Sequence, residues 1–127
     1  MGMEYRVRFS GQGVPPLHRI LAVLAEHNFS VQVRMVDGEL TLPGEVPPES
    51  WGDVRLGTDA GMVTLVRGGQ DLAVVTWGNA DKALQSAWNA VAWAAAEAGQ
   101  GKILRADGLQ DAAEFRASVL MPDIMRP

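Results

Sequence analysis

His18 and His27 are the only side chains whose ordinary pKa lies near neutral pH, so any acid–base chemistry in this chain would begin with them. They stand nine residues apart in a stretch that reads as one helix. At about 100° per residue, that spacing places them on opposite sides, and they cannot chelate one metal ion. Neither has a His-x-x-x-His partner or an acidic cluster at ligand spacing. Cysteine is absent, which removes disulfides, thiolate nucleophiles, zinc ribbons and Cys-ligated iron–sulfur clusters. Ser10, Ser30, Ser50, Ser86 and Ser118 lie in no Gly-x-Ser-x-Gly elbow and no Ser-x-x-Lys box. Glu45, Glu49, Asp53 and Asp59 gather around a proline loop, but nothing in the sequence sets their separation. No catalytic residue, metal ligand or cofactor is assigned.

Gly11-Gln12-Gly13 follows a strand and precedes a helix, where phosphate-binding loops sit. Pro16 stands where the dinucleotide fingerprint needs its third glycine. Pro15 and Pro16 also remove two of the N–H donors an anion would use. The segment reads as a plain strand-to-helix turn.

The chemistry that remains is recognition, and two surfaces could supply it. If the first two strands share a sheet, Arg6, Arg8 and Arg34 emerge on its wet face, with Arg55 beside them. The guanidinium is a planar fork suited to carboxylate or phosphate, so this face could take a small anionic ligand or an acidic partner. The plainer alternative is cross-strand pairing with Glu4 or Glu39 as solubilising decoration.

The second surface lies on a helix over residues 80–98. Leu84, Trp88, Val91, Ala95 and Ala98 form its apolar stripe, and Trp93 falls about 180° away from Leu84. Asn89 and Glu97 share the polar arc with that indole. A large ring there needs a cover: the C-terminal segment, a second copy of the chain or a foreign protein. Trp51 follows Pro47-Pro48-Glu49-Ser50 and either pins that loop to the core or anchors a partner. Trp93, Trp51, Asn89 and Glu97 are therefore the candidate interaction residues, and Arg6, Arg8, Arg34 and Arg55 the candidate anion-binding face.

The elements that must carry these residues follow from periodicity and turn chemistry. Residues 4–10 and 29–36 alternate with period two and read as half-buried strands. Leu17, Ile20, Leu21 and Leu24 form a helix stripe after Pro15-Pro16, and Asn28 is its left-handed stop. Asp37-Gly38 predicts a type I′ hairpin turn into a return strand over 39–42. Residues 43–50 read as an extended proline loop. Strands are expected over 62–67 and 72–77, the latter almost continuously apolar and so central, with 54–57 a short candidate strand before them. Asn79 is expected to cap the long helix, and 102–105 to form a last strand. Asp107 with Gln110 resembles a capping box for a helix from about Leu109. Phe115, Ala117, Val119 and Met121 also alternate, so 107–127 stays open between helix and strand.

The 127 residues fit one domain spanning 1–127. The expected fold is two-layer α+β: a mainly antiparallel sheet of five to six strands, with two main helices on one face. No apolar run approaches the ~20 residues that span a bilayer, and the opening residues do not read as a signal peptide. The chain is therefore expected to be soluble and cytoplasmic. Net charge is −4, which disfavours nucleic acid as a general partner. The leading expectation is a small protein-binding or regulatory module with a protein partner or a homodimer. An anion or small-molecule-binding domain comes second, and a small enzyme with a carboxylate or histidine site third.

Overall fold

The computed structural model describes residues 2–11, 13–42 and 45–125. Among the described residues, eight strands form one sheet: β1 (Met3–Arg8), β2 (Val31–Val36), β3 (Glu39–Leu40), β4 (Asp53–Thr58), β5 (Gly61–Gly68), β6 (Asp71–Thr76), β7 (Lys102–Arg105) and β8 (Gly108–Gln110). Their spatial order is β3-β2-β4-β5-β6-β1-β7-β8, and every neighbouring pair is antiparallel. The N-terminal strand is thus inserted between β6 and β7, in the interior of the sheet. Among the described residues, three α-helices, α1 (Leu17–Glu26), α2 (Lys82–Gly99) and α3 (Ala112–Ser118), and a 3-10 turn over Asp123–Met125 complete the fold. The α+β class and antiparallel sheet match expectation. The strand number and element order do not: the sheet has eight strands, and β7 and β8 stand between α2 and a third helix.

The C-terminal difference comes from capping. Asp107 does not start a helix; residues 106 and 107 turn between β7 and β8, and Gly108 has φ 129°. The helix begins one turn later, where the Asp111 side chain accepts the Glu114 N–H at 2.8 Å. A similar shift occurs at α2. Asp81 rather than Asn79 is the cap, accepting the Leu84 N–H at 2.9 Å. The Asp37-Gly38 hairpin forms as expected, with φ of 50° and 84°. Within the proline loop, Pro43 and Gly44 lie outside the described residues.

Alternation sorts each strand into a helix-facing and an open side. Val7, Val54, Leu56, Val63, Leu65, Leu72, Val74 and Ile103 are buried on the helix side. There they meet Ile20 and Leu24 of α1, Trp88 and Val91 of α2, and Phe115 of α3. Tyr5 stacks on Trp88 at 3.8 Å and meets the edge of Phe115 at 5.0 Å. Trp88 Nε1 donates to the Val74 carbonyl at 2.7 Å, tying α2 to the centre of the sheet. α2 is the middle helix, with α1 and α3 packed on it. No helix is long and apolar enough to cross a membrane among the described residues.

Candidate functional site

The face of the sheet opposite the helices carries no covering layer. Its residues follow from the register. Arg6 lies beside Ala73, which is opposite Val66, which is opposite Asp53. In the next row, Glu4, Val75, Thr64, Arg55 and Met35 stand side by side. Arg8 neighbours Asp71 and Lys102 at one end. The face therefore has an apolar centre on β5 and β6 and cations on both flanks.

The apolar centre is partly open to water. Met62 is 38% exposed and Val66 40% exposed. Trp77, one residue past β6, is 64% exposed, and its ring lies against Gly2. A Cβ on Gly2 would stand 2.7 Å from the indole, so only glycine admits that approach. Leu104 and Leu109 extend the exposed apolar surface toward β8, and Leu40 does so at the β3 edge. Ala73, Val75 and Thr64 sit between them, shielded by the longer neighbours. Surface of this kind is what protein contacts use.

Arg6, Arg8, Arg34 and Arg55 all reach this face, but they fall into two pairs. Arg6 and Arg55 are three strands apart, about 14 Å at the usual strand spacing. On β1, Arg6 pairs with Glu4 at 2.9 Å and Arg8 with Asp71 at 3.5 Å. On the other flank, Arg55 Nη1 contacts the Met35 sulfur at 3.7 Å. Among the described residues, neither Arg34 nor Arg55 has a carboxylate partner.

A β-bulge places Arg34. The β2–β4 register slips between Val33 and Met35, giving the bulged strand one extra residue. Met35, expected to point inward, is thereby turned to the open face opposite Arg55, and Val36 takes the inward place opposite Val54. Arg34 lies across the bare Cα of Gly57, where an added Cβ would be 2.8 Å from its Nε. Gly57 and Arg55 are two residues apart on one strand face, so the two unpaired guanidinium groups rise from neighbouring positions.

Of the four candidate interaction residues, Trp93, Trp51 and Asn89 are buried and Glu97 is exposed. Trp93 is 4% exposed. The Arg116 guanidinium of α3 lies 4.9 Å over its ring, and His27 at the end of α1 meets it edge-on at 4.9 Å. Arg116 in turn donates to the Met125 carbonyl, so the C-terminal segment holds the cover down. The polar arc expected around Trp93 does not exist as surface. Residues 87–96 are buried all the way round because α1 and α3 flank α2 and the sheet lies beneath it. Asn89 is internal too: it accepts from the Tyr5 hydroxyl at 2.6 Å and donates to the Leu120 carbonyl at 2.7 Å. Trp51 is 2% exposed and pins the proline loop. Only Glu97 is exposed, at the edge of a groove between α1 and α3 where Glu26 and Arg19 also lie.

Two titratable groups depart from their ordinary values. The Gly52 and Asp53 N–H groups donate to Asp37 Oδ1 at 2.7 and 2.9 Å. These donors hold the carboxyl below its ordinary 3.8, the Asp53 N–H more than the Gly52 N–H. Burial pushes the Tyr5 hydroxyl above 10.0, opposed by the Arg105 charge. Both groups serve the fold. No group of three or more His, Cys, Asp or Glu residues is placed to hold a metal among the described residues.

Sequence reading missed Trp77, Met62 and Val66. Residues 72–77 are apolar enough to suggest burial on both faces, and β6 is indeed central with Leu72 to Thr76 buried. Trp77 escapes because it lies just beyond the last paired residue. The signal available was the alternation of 62–67, which sends Met62, Thr64 and Val66 to one side.

Fold and surface together define a two-layer α+β protein with one bare sheet face. No protein-family model, curated protein or solved structure matches the chain.

Proposed function

We propose that this protein is a binding module that docks an acidic protein surface on the open face of its sheet. The observation that carries this reading is an apolar strip of Met62, Val66 and Trp77 set between two arginine pairs. Among the described residues, the face holds five cations (Arg6, Arg8, Arg34, Arg55 and Lys102) against three carboxylates (Glu4, Asp53 and Asp71). The whole chain carries −4, so the face opposes the charge of the rest of the molecule. An apolar centre would supply affinity and the arginine rim orientation and on-rate. A second copy meeting this face with its own would set like charges together, which favours a foreign acidic partner over a face-to-face homodimer.

The test is capture from source cells with the wild-type chain, Val66→Glu, and a double variant Arg34→Glu/Arg55→Glu. An acidic partner retained by the wild type, lost with either variant and weakened by salt supports the reading. A partner retained equally by all three chains, or a dimer in sedimentation that Val66→Glu dissolves, overturns it. All substituted side chains are exposed, so thermal melting should be near that of the wild type.

A second reading has its own observation. The unpaired Arg34 and Arg55 could together grip a small anion, since two planar forks suit phosphate or carboxylate. A rise in melting midpoint with phosphate, absent in Arg34→Gln/Arg55→Gln, would mark that use.

A further inference from the structure

A cleft of about 500 Å³ lies between α1, β2 and the proline loop, apart from the open sheet face. Its size falls within the usual range for small-molecule sites, which are mostly apolar with a few polar groups. Leu17 and Leu21 of α1 and Val33 of β2 form one wall. Val46 and Pro47 of the loop form the other.

Two features of this cleft are unexplained by packing within the chain. Val46 is 86% exposed although it borders an apolar wall. A ligand body in the cleft would cover it and remove that surface from water. Charge is the second feature. His18, Glu45, Glu49 and Arg67 also line the space. The Arg67 guanidinium is committed elsewhere: its Nε donates to the Trp51 carbonyl and its Nη2 to the Glu49 carbonyl, each at 2.8 Å, and it lies over the Trp51 ring. The Glu45 carboxylate accepts the Leu42 N–H at 3.4 Å. Among the described residues, neither Glu45 nor Glu49 pairs with a cation. The acceptors of Arg67 are neutral carbonyls, so its charge persists, and the two carboxylates outnumber it: the Glu and Arg side chains lining the cleft carry a net negative charge.

We propose that this cleft binds a small hydrophobic amine, with its hydrocarbon body against Leu17, Leu21 and Val33 beneath Val46 and its ammonium toward Glu45 and Glu49. A hydrophobic carboxylate of the same shape would face two carboxylates against one guanidinium and bind more weakly.

The test titrates the full chain with 2-phenylethylammonium, 2-phenylethanol and 3-phenylpropanoate, read by calorimetry and by backbone amide shifts in NMR. Shifts from the amine should cluster at residues 14–21, 33 and 45–49, and the carboxylate should be the weakest ligand. Glu45→Gln/Glu49→Gln should weaken the amine about fivefold to tenfold and leave the alcohol unchanged, as two exposed charge contacts allow. Val46→Ser should weaken amine and alcohol alike. Glu45, Val46 and Glu49 are exposed, so these variants keep the fold, and an unchanged melt confirms it. Absent shifts at the cleft, equal binding of carboxylate and amine, or an amine affinity indifferent to the double variant would each overturn the proposal.

Discussion

The Arg67 guanidinium lies 4.5 Å over the Trp51 indole while donating to the Trp51 backbone carbonyl. One side chain from β5 thus grips both the ring and the main chain of the residue that ends the proline loop. The Arg67 backbone N–H adds a bond to the Gly52 carbonyl at 2.8 Å. Arg67→Ala should cost about 1–2 kcal/mol in urea unfolding, from lost charge-assisted bonds and the ring contact. Arg67→Lys should recover little of it, because an ammonium cannot reproduce the fork. A lysine variant as stable as the wild type would show that charge alone holds the loop.

Asp37 makes stability depend on acid. Its folded carboxyl ionises below the ordinary 3.8 because the Asp53 and Gly52 N–H groups donate to it. The unfolded chain therefore takes up the proton first as pH falls. The contribution is complete above the ordinary value and is lost as pH drops through the lowered one. Asp37→Asn should flatten the pH dependence of stability below about pH 4. Wild-type and variant curves of equal slope there would contradict the role.

Tyr5 and Asn89 join the first strand to the C-terminal segment. Asn89→Ala leaves the Tyr5 hydroxyl and the Leu120 carbonyl without their partner, which should cost about 1–3 kcal/mol. Amides over 119–125 should exchange faster than in the wild type. Tyr5 supplies an alkaline counterpart. Burial raises its pKa above 10.0, so the unfolded chain ionises first. The associated stability is full below that value and is lost as pH rises through the folded pKa. Tyr5→Phe should remove this alkaline decline while lowering stability at neutral pH.

The end of α2 should respond in opposite directions to two substitutions. Gln100 is left-handed, with φ 53°, so Gln100→Gly should stabilise by about 1 kcal/mol. Gly101 has a different task. A Cβ there would stand 2.6 Å from the buried Phe9 ring and 3.0 Å from the Arg8 carbonyl. Gly101→Ala should cost about 1–3 kcal/mol by overpacking. Thermal melts of the two variants decide both statements.

α2 ends at Gly99-Gln100-Gly101, yet the left-handed residue there is the glutamine between the two glycines. Glycine is needed because Phe9, ninety residues earlier, lies against both positions. No local rule carries that information. The arginine face shows the reverse case. Period two alone brings Arg6, Arg8 and Arg55 to one side, because side chains alternate on any strand. The bulge at Arg34 and its seat over Gly57 depend on how β2 meets β4.

Residue order by itself determined the α+β class, the Asp37-Gly38 hairpin, the course of α1 and α2 and the common side of Arg6, Arg8 and Arg55. These follow from contacts between residues a few positions apart, through periodicity and turn geometry. Tertiary structure decided the eight-strand order with β1 inside, the inversion of Met35 and the burial of Trp93 and Asn89. The reason is physical: a helical wheel records where a side chain points, whereas burial depends on what stands there. For Trp93 that is Arg116 and His27, from helices distant in sequence and adjacent in space.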